Sequence, residues 1–460
     1  MAENFVRTIE SNARRFGGKA ALVWETGSLT WSELDRLASG FARDLAQNGV
    51  QAGDRVAIAL PVRPDFVIAF LAILKLGATA APLNPLLKPE ELDQLVTDLR
   101  PRLVVDRVKA DPAKWDSAPA DAPALILYTS GSTGRPKGAV FSHSALTFAN
   151  RSWGEAVMGL TPEDRVLVAV PLAHSLGLNG GLLAPLLFGG TVALVERFSP
   201  EAVFDSIRRH RVTLFPGVAT IFRRLLTAPA FSGADFSSLR LAVSGAAPCP
   251  WELAEEWRER AGTRIVRGYG MTELFRPISF SAGDPADIPD AIGKAVPGVE
   301  IRLADTNESD SGELWIKSPA AMEGYLGDTE ETRVVLEDGW FKTGDLATVS
   351  AEGYVRIVGR KRERILRGGY SIFPQEVEAI LLSHPAIAEA AVVGLPSPDL
   401  GEEVAAFVTI KPAACVTRQE LFDHCKDRLA AYKYPRHIKI LKELPKGPTG
   451  KVLKSELAKS

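Results

Sequence analysis

Short apolar runs recur along the chain, separated by stretches whose apolar residues fall at helical spacing. Arg55 to Leu60, Ala78 to Leu83, Ala124 to Leu127, Val166–Val170, Thr191–Val195, Val212–Phe215 and Leu239–Ser244 read as buried strands. Between them lie helices with local start and stop signals. Thr30-Trp31-Ser32-Glu33 is a capping box, opening a helix that runs to about Gln47 and stops at Asn48-Gly49. The longest apolar run, Phe66 to Leu74, is opened by Pro64-Asp65 and closed by Lys75-Leu76-Gly77. It is too short to span a bilayer and reads as a core helix. Strand alternating with helix predicts a parallel α/β layout.

From about Ile301 the pattern changes. Short strands (Glu313–Ile316, Tyr354–Val358) are separated by turns such as Asp338-Gly339 and Glu352-Gly353, which suggests a small antiparallel or β-barrel-like unit. Gly359-Arg360-Lys361-Arg362-Glu363-Arg364 is a charged break and a linker candidate. Beyond it a smaller α+β unit is expected, with a helix (Pro374 to Leu382), strands (Glu389–Gly394, Glu403–Ile410) and an amphipathic helix (Arg418 to Leu429). The expected division is therefore 1–359, a hinge at 360–364, and 365–460.

Composition narrows the function classes. With 460 residues more than one domain is expected, and 46% hydrophobic and 24% charged residues suit a soluble globular enzyme. A net charge of -2 gives no reason to expect nucleic acid or an anionic membrane as partner. Cys249, Cys415 and Cys425 form no C-x-x-C pair, which suits a reducing cytoplasm rather than a disulfide framework or a zinc site. No secretory segment is visible at Met1-Ala2-Glu3-Asn4-Phe5. Cytoplasmic localisation is the expectation; monomer and homodimer both stay open.

Tyr128-Thr129-Ser130-Gly131-Ser132-Thr133-Gly134-Arg135-Pro136-Lys137-Gly138 carries the strongest chemical signal. Glycines let backbone amides approach a polyphosphate, hydroxyls donate, and a lysine adds charge. It is not the G-x-x-x-x-G-K-[ST] loop, because two residues separate Gly134 from Lys137. Nor is it a dinucleotide fingerprint, since G-x-G-x-x-G is absent. A lone cluster of this kind would be a flexible surface turn.

Further segments argue against that. They are Ser244-Gly245-Ala246-Ala247-Pro248, Gly268-Tyr269-Gly270-Met271-Thr272-Glu273, Trp340-Phe341-Lys342-Thr343-Gly344-Asp345 followed by Gly359-Arg360, and Gly450-Lys451. In this order the chain, from about Thr30 to Leu457, resembles the adenylate-forming superfamily of acyl-CoA synthetases, luciferases and peptide-synthetase adenylation domains. It is most similar to the acyl-CoA synthetases.

The resemblance implies a large N-terminal domain of doubly wound α/β subdomains and a small mobile C-terminal domain that swings between half-reactions. It implies ATP, Mg2+ and coenzyme A. Thr129, Ser130, Gly131, Ser132, Thr133, Gly134 and Lys137 would form the phosphate loop. Ala246, Ala247 and Pro248 would lie against adenine, and Tyr269, with Gly270 and Met271, would stack on the base. Thr272 would contact the α-phosphate and Glu273 would hold Mg2+, a cation that prefers oxygen ligands. Asp345 would accept from the ribose hydroxyls with Arg360 nearby. Lys451 would reach the α-phosphate and carboxylate oxygens, and Gly368 and Gly369 would meet pantetheine. The hinge falls on Arg362, where family members usually carry Asp or Lys. The region before Ala124 is short for the family.

The acid pocket is expected around His174, Leu178, Phe215, Val218, Gly268, Phe275 and Arg276. His174 has two readings, a core histidine or the acyl-pocket histidine. Phe275 beside Leu178 and Phe215 would make an apolar wall. Arg276 is expected to turn to solvent or pair with a protein carboxylate; the alternative is a cation at the pocket's far end, recognising a second carboxylate. The implied reaction is acyl-CoA synthesis through an acyl-AMP. Transfer to a carrier-protein phosphopantetheine, or a non-catalytic nucleotide-binding protein, are the alternatives. No carrier segment lies within these residues, which favours free coenzyme A.

Overall fold

The apolar runs become strands because each is covered on both faces, the setting in which a strand has no polar side to present. Ala124, Leu125, Ile126 and Leu127 are all at most 2% exposed. The computed structural model describes residues 4–117, 122–129, 136–285, 288–306, 310–363, 365–367, 370–412, 414–446 and 452–459. Packing divides the chain into two units, Met1–Ile301 with Ile316–Phe341, and Arg302–Trp315 with Lys342–Ser460. This boundary follows contacts. The expected hinge at 360–364 concerns motion and stays a proposal.

Two large sheets build the first unit. One runs, in spatial order, Ile265–Val266, Leu241–Ser244, Leu214–Gly217, Arg165–Val168, Thr191–Leu194, Ala20–Trp24 and Gly27–Thr30. It is parallel except for the last hairpin. The other runs Gly324–Tyr325, Lys137–Phe141, Leu125–Thr129, Thr79–Pro82, Arg55–Ile58 and Leu103–Val105. Its last four strands are parallel, and the first two are antiparallel additions.

Register decides where the chemistry gathers. Gly217 pairs with Ser244 and Val243 with Val266. Val218, Gly245 and Arg267 therefore leave the first sheet at the same carboxyl edge, where open parallel sheets place their ligands. A third, smaller sheet starts there, the hairpin of Gly268–Met271 with Phe275–Ser279.

The local helix signals act as read. Helix Trp31–Gln47 has its capping box: Thr30 N donates to Glu33 Oε2 at 2.8 Å and Glu33 N to Thr30 Oγ1 at 3.2 Å. Helix Pro64–Lys75 is buried nearly all round. Its last residue, Lys75, is a buried cation held 2.6 Å from Glu10 and 2.9 Å from Asp35.

In the second unit, Gly401–Ile410 is central to a sheet with Ile387–Ser397, Ile365–Arg367 and Tyr370–Ile372, and His437–Leu441 adds in parallel. Helices Pro374–Leu382 and Arg418–Lys426 bury Val377, Leu381, Leu421 and Cys425 against it. The second helix ends at Lys426, with Asp427 as its cap, short of the expected Leu429. Near the unit's start, Trp340–Val349 pairs antiparallel with Val355–Arg360, with Asp345 opposite Arg360.

Candidate functional site

Thr129 and Lys137 face each other as the last described rung of an antiparallel strand pair. Ser130, Gly131, Ser132, Thr133 and Gly134 lie outside the described residues. Next to Lys137–Phe141 runs the short strand Gly324–Tyr325, followed by helix Thr329–Val335. Lys137 Nζ is 2.5 Å from Glu331 Oε1 and 5.3 Å from the centre of the Tyr325 ring. Tyr325 Oη in turn donates to Glu273 Oε1 at 2.8 Å.

Glu273 and Thr272 sit on the one-turn helix Thr272–Leu274 that closes the Gly268–Ser279 hairpin. Glu273 is 8% exposed, and its backbone carbonyl accepts from Met322 N at 2.9 Å. The turn packs against strand Leu125–Thr129. Two tight features shape the hairpin. Phe275 adopts φ 55°, costly for a bulky residue, and Gly270 lies so close to the Phe275 carbonyl that a Cβ would sit 1.9 Å from it. The Phe275 ring is anchored 4.5 Å from Phe141. Packing thus holds a strained turn that presents Thr272 and Glu273.

Arg276 corrects an expectation. It is neither turned to solvent nor paired with a carboxylate among the described residues; it is 7% exposed. Nη1 donates to Ser244 O at 2.8 Å, Nε to Ser279 Oγ at 3.0 Å and Nη2 to Val266 O at 3.4 Å. The guanidinium lies 4.9 Å from the Trp153 ring centre. Burial lowers its pKa. Gly268 makes room for it, since a Cβ there would fall 2.4 Å from Nη2. Gly180 does the same for Trp153, whose ring a Cβ would meet at 2.8 Å. Arg276 thereby ties the hairpin carrying Glu273 to the strand end that leads into Gly245-Ala246-Ala247-Pro248.

Ala246, Ala247 and Pro248 are exposed at that edge, and Ala246 takes φ 64°. Tyr269 and Met271 are half-buried, and Gly270 is exposed. His174 is exposed, which removes the core-histidine reading. It precedes the wide-turn helix Leu176–Leu183, in which Leu178 is fully buried. The expected wall of Phe275, Leu178 and Phe215 needs correction. Phe215 meets Phe222 edge-on at 5.3 Å within the core, and Val218 packs against that same core, whereas Phe275 rests on Phe141.

In the second unit Asp345 is 3% exposed and forms an ion pair with Arg360, Nε to Oδ1 3.0 Å. Its backbone N–H donates to Thr343 Oγ1 at 3.0 Å, and Thr343 Oγ1 donates to Leu314 O at 2.7 Å. Gly344, at φ 70°, allows the bend between them. The adjacent Lys361 is held 2.9 Å from Glu313, which raises its pKa. Arg362 lies in the turn Lys361–Glu363. Gly368, Gly369 and Lys451 lie outside the described residues.

Residues 9–117 and 106–326 match the AMP-binding enzyme family, and residues 376–451 match the AMP-binding enzyme C-terminal domain. The chain belongs to the AMP-binding enzyme family. It is 36% identical to the feruloyl-CoA synthase of Amycolatopsis sp, over 97% of this chain and 95% of that protein. O-succinylbenzoate CoA synthetase from Bacillus subtilis, in complex with the acyl-adenylate intermediate OSB-AMP, superposes with a TM-score of 0.88 at 32% identity, covering 98% of this chain and 97% of that one. Its complex with ATP and magnesium ion also has a TM-score of 0.88 at 32% identity, covering 98% of each chain.

Two residues outside the expected set touch members of it: Tyr325 meets Glu273 and Lys137, and Glu331 meets Lys137. Their signal was local and weak: Gly324-Tyr325 followed by Asp328-Thr329-Glu330-Glu331, in which Asp328 caps the helix by accepting from Glu331 N at 3.0 Å. What they touch comes only from strand pairing.

Proposed function

We infer that this AMP-binding enzyme is an acid–thiol ligase, activating a carboxylic acid with ATP to an acyl-AMP and passing the acyl group to coenzyme A. The observation that carries it is the run Lys137–Tyr325–Glu273 beside the glycine-rich loop, in a chain similar over nearly its whole length to CoA ligases.

In the first half-reaction a carboxylate oxygen attacks the α-phosphorus and pyrophosphate leaves. In the second a thiol attacks the acyl carbon and AMP leaves. The first step gathers anions, so the protein's contribution is positioning and positive charge rather than a nucleophile. Lys137 holds the outgoing phosphates, Thr272 orients the α-phosphate, and Lys451 neutralises charge as the carboxylate attacks. Asp345 takes the ribose hydroxyls. Glu273 fits a magnesium ion: one oxygen takes the Tyr325 hydroxyl, and the other has no hydrogen-bond partner among the described residues. One carboxylate plus phosphate oxygens suits Mg2+, which would neutralise the phosphates. Gly368 and Gly369 leave room for the pantetheine arm, and Arg362 is the pivot.

The relatives named above are a feruloyl-CoA synthase and an O-succinylbenzoate CoA synthetase, so aryl-bearing acids head the substrate screen. No helix among the described residues is long and apolar enough to cross a membrane. The test is acid-dependent ATP–pyrophosphate exchange, followed by coenzyme A-dependent AMP release, over short, medium, aromatic and dicarboxylic acids. Exchange with some acid and AMP release with coenzyme A is the expected result. No exchange with any acid refutes adenylation. Exchange that turns over only with a phosphopantetheinylated carrier reassigns the acceptor.

A further inference from the structure

Lys137 already has an anion. Its Nζ meets Glu331 Oε1 at 2.5 Å, with the two side chains 14% and 26% exposed. Three contacts deliver that carboxylate. Leu326 N donates to Gly138 O at 2.8 Å, so the segment after Tyr325 is fastened to the strand that carries Lys137. Thr332 Oγ1 accepts from Tyr325 N at 2.9 Å, tying the helix back onto its own strand. Asp328 caps the helix at Glu331 N. A surface pair of long side chains is usually loose; here Lys137 sits on a paired strand, Glu331 on a capped helix, and both side chains are mostly removed from water, where a charge pair is screened less.

We propose that Glu331 is the resident counter-ion of Lys137, competing with the β- and γ-phosphates of ATP and re-engaging the lysine as pyrophosphate leaves. The proposal rests on the placing of Lys137 at the phosphates made above. Its physical content is a trade. Without Glu331 the lysine would hold polyphosphate more tightly. With it, part of that attraction cancels, so pyrophosphate leaves more readily. AMP lacks both outer phosphates and should not sense the difference. Glu331 is thus a positioning residue acting through Lys137.

The test uses the full-length enzyme and titrates Mg2+–pyrophosphate, Mg2+–ATP and AMP calorimetrically into wild type, E331Q, K137A and the double variant. E331Q should bind pyrophosphate and ATP roughly three- to tenfold more tightly, the scale of one partly screened ion pair, and AMP unchanged. K137A should weaken both outer-phosphate ligands. Adding E331Q to K137A should change neither, because the competitor has lost its lysine. E331D should restore wild-type affinities. Unchanged or weaker pyrophosphate binding in E331Q, with K137A weakened as expected, overturns the proposal and leaves the phosphate-loop reading standing. If K137A itself binds pyrophosphate as wild type does, the placing of Lys137 fails, and the proposal with it. Matching thermal midpoints of E331Q and wild type guard against a folding effect.

Discussion

Arg276→Met probes the tie between the Glu273 hairpin and the strand end that leads into Gly245-Ala246-Ala247-Pro248. The substitution deletes the donors to Ser244 O, Ser279 Oγ and Val266 O. Ser244 is 1% exposed and Val266 0%, so water cannot replace the lost partner at either carbonyl. A stranded buried acceptor costs about 1–3 kcal/mol, with the short Ser244 contact counting most. Methionine also removes a charge that had been desolvated without a carboxylate partner, which offsets part of this. A net loss of roughly 2–4 kcal/mol follows, or about 4–8 °C in Tm at about 2 °C per kcal/mol. The functional effect should exceed the thermal one. A hairpin freed by an ångström misplaces Thr272 and Glu273, and such shifts cost up to about 100-fold in rate. Differential scanning fluorimetry and ATP–pyrophosphate exchange read the two effects, with mono- and dicarboxylic acids in parallel. The acid preference should stay that of the wild type. Arg276→Lys should not rescue, because a single ammonium cannot bridge Ser244 O and Ser279 Oγ at once. A wild-type Tm refutes the tie. A wild-type Tm together with a selective gain for monocarboxylic over dicarboxylic acids would put Arg276 in the acid pocket instead.

Lys451→Ala should cut acyl-AMP formation about 100-fold or more, the scale of one well-placed transition-state charge, and largely spare thioester formation from supplied acyl-AMP. Equal loss of both half-reactions, measured separately, counts against that role. Arg362→Pro restricts φ at the proposed pivot and should slow thioester formation far more than adenylation; equal rates would move the hinge elsewhere. His143 is buried at the start of helix His143–Ser152 with Nδ1 unpartnered, and burial lowers its pKa to about 4. Because the depressed value belongs to the folded state, its contribution is intact above about pH 6.5 and declines as pH falls toward 4, by about 2 kcal/mol at pH 5. Denaturant melts at pH 7.5 and pH 5 should show that loss in wild type and much less of it in His143→Leu.

Elements that close within a few residues are legible in the amino-acid order. Thr30 and Glu33 cap a helix wherever that helix packs, because both partners lie in one turn. The apolar runs of the parallel sheets and the glycine-rich loop after Leu127 were legible for the same reason. So is the order of the motifs, which resembles that of adenylate-forming enzymes. Which distant side chains meet depends on how the strands and helices pack. Arg276 reaches Ser244, 32 positions away, and Tyr325 reaches Glu273, 52 positions away. Neither pairing leaves a periodic trace in the sequence. Phe215 and Phe275 look alike as apolar residues, yet register sends one into the core beside Phe222 and the other onto Phe141. Ala246 and Phe275 take positive φ against their own preference. Local propensity is worth about a kilocalorie or two per residue, and the packing around these two outweighs it because many buried contacts act together on one backbone.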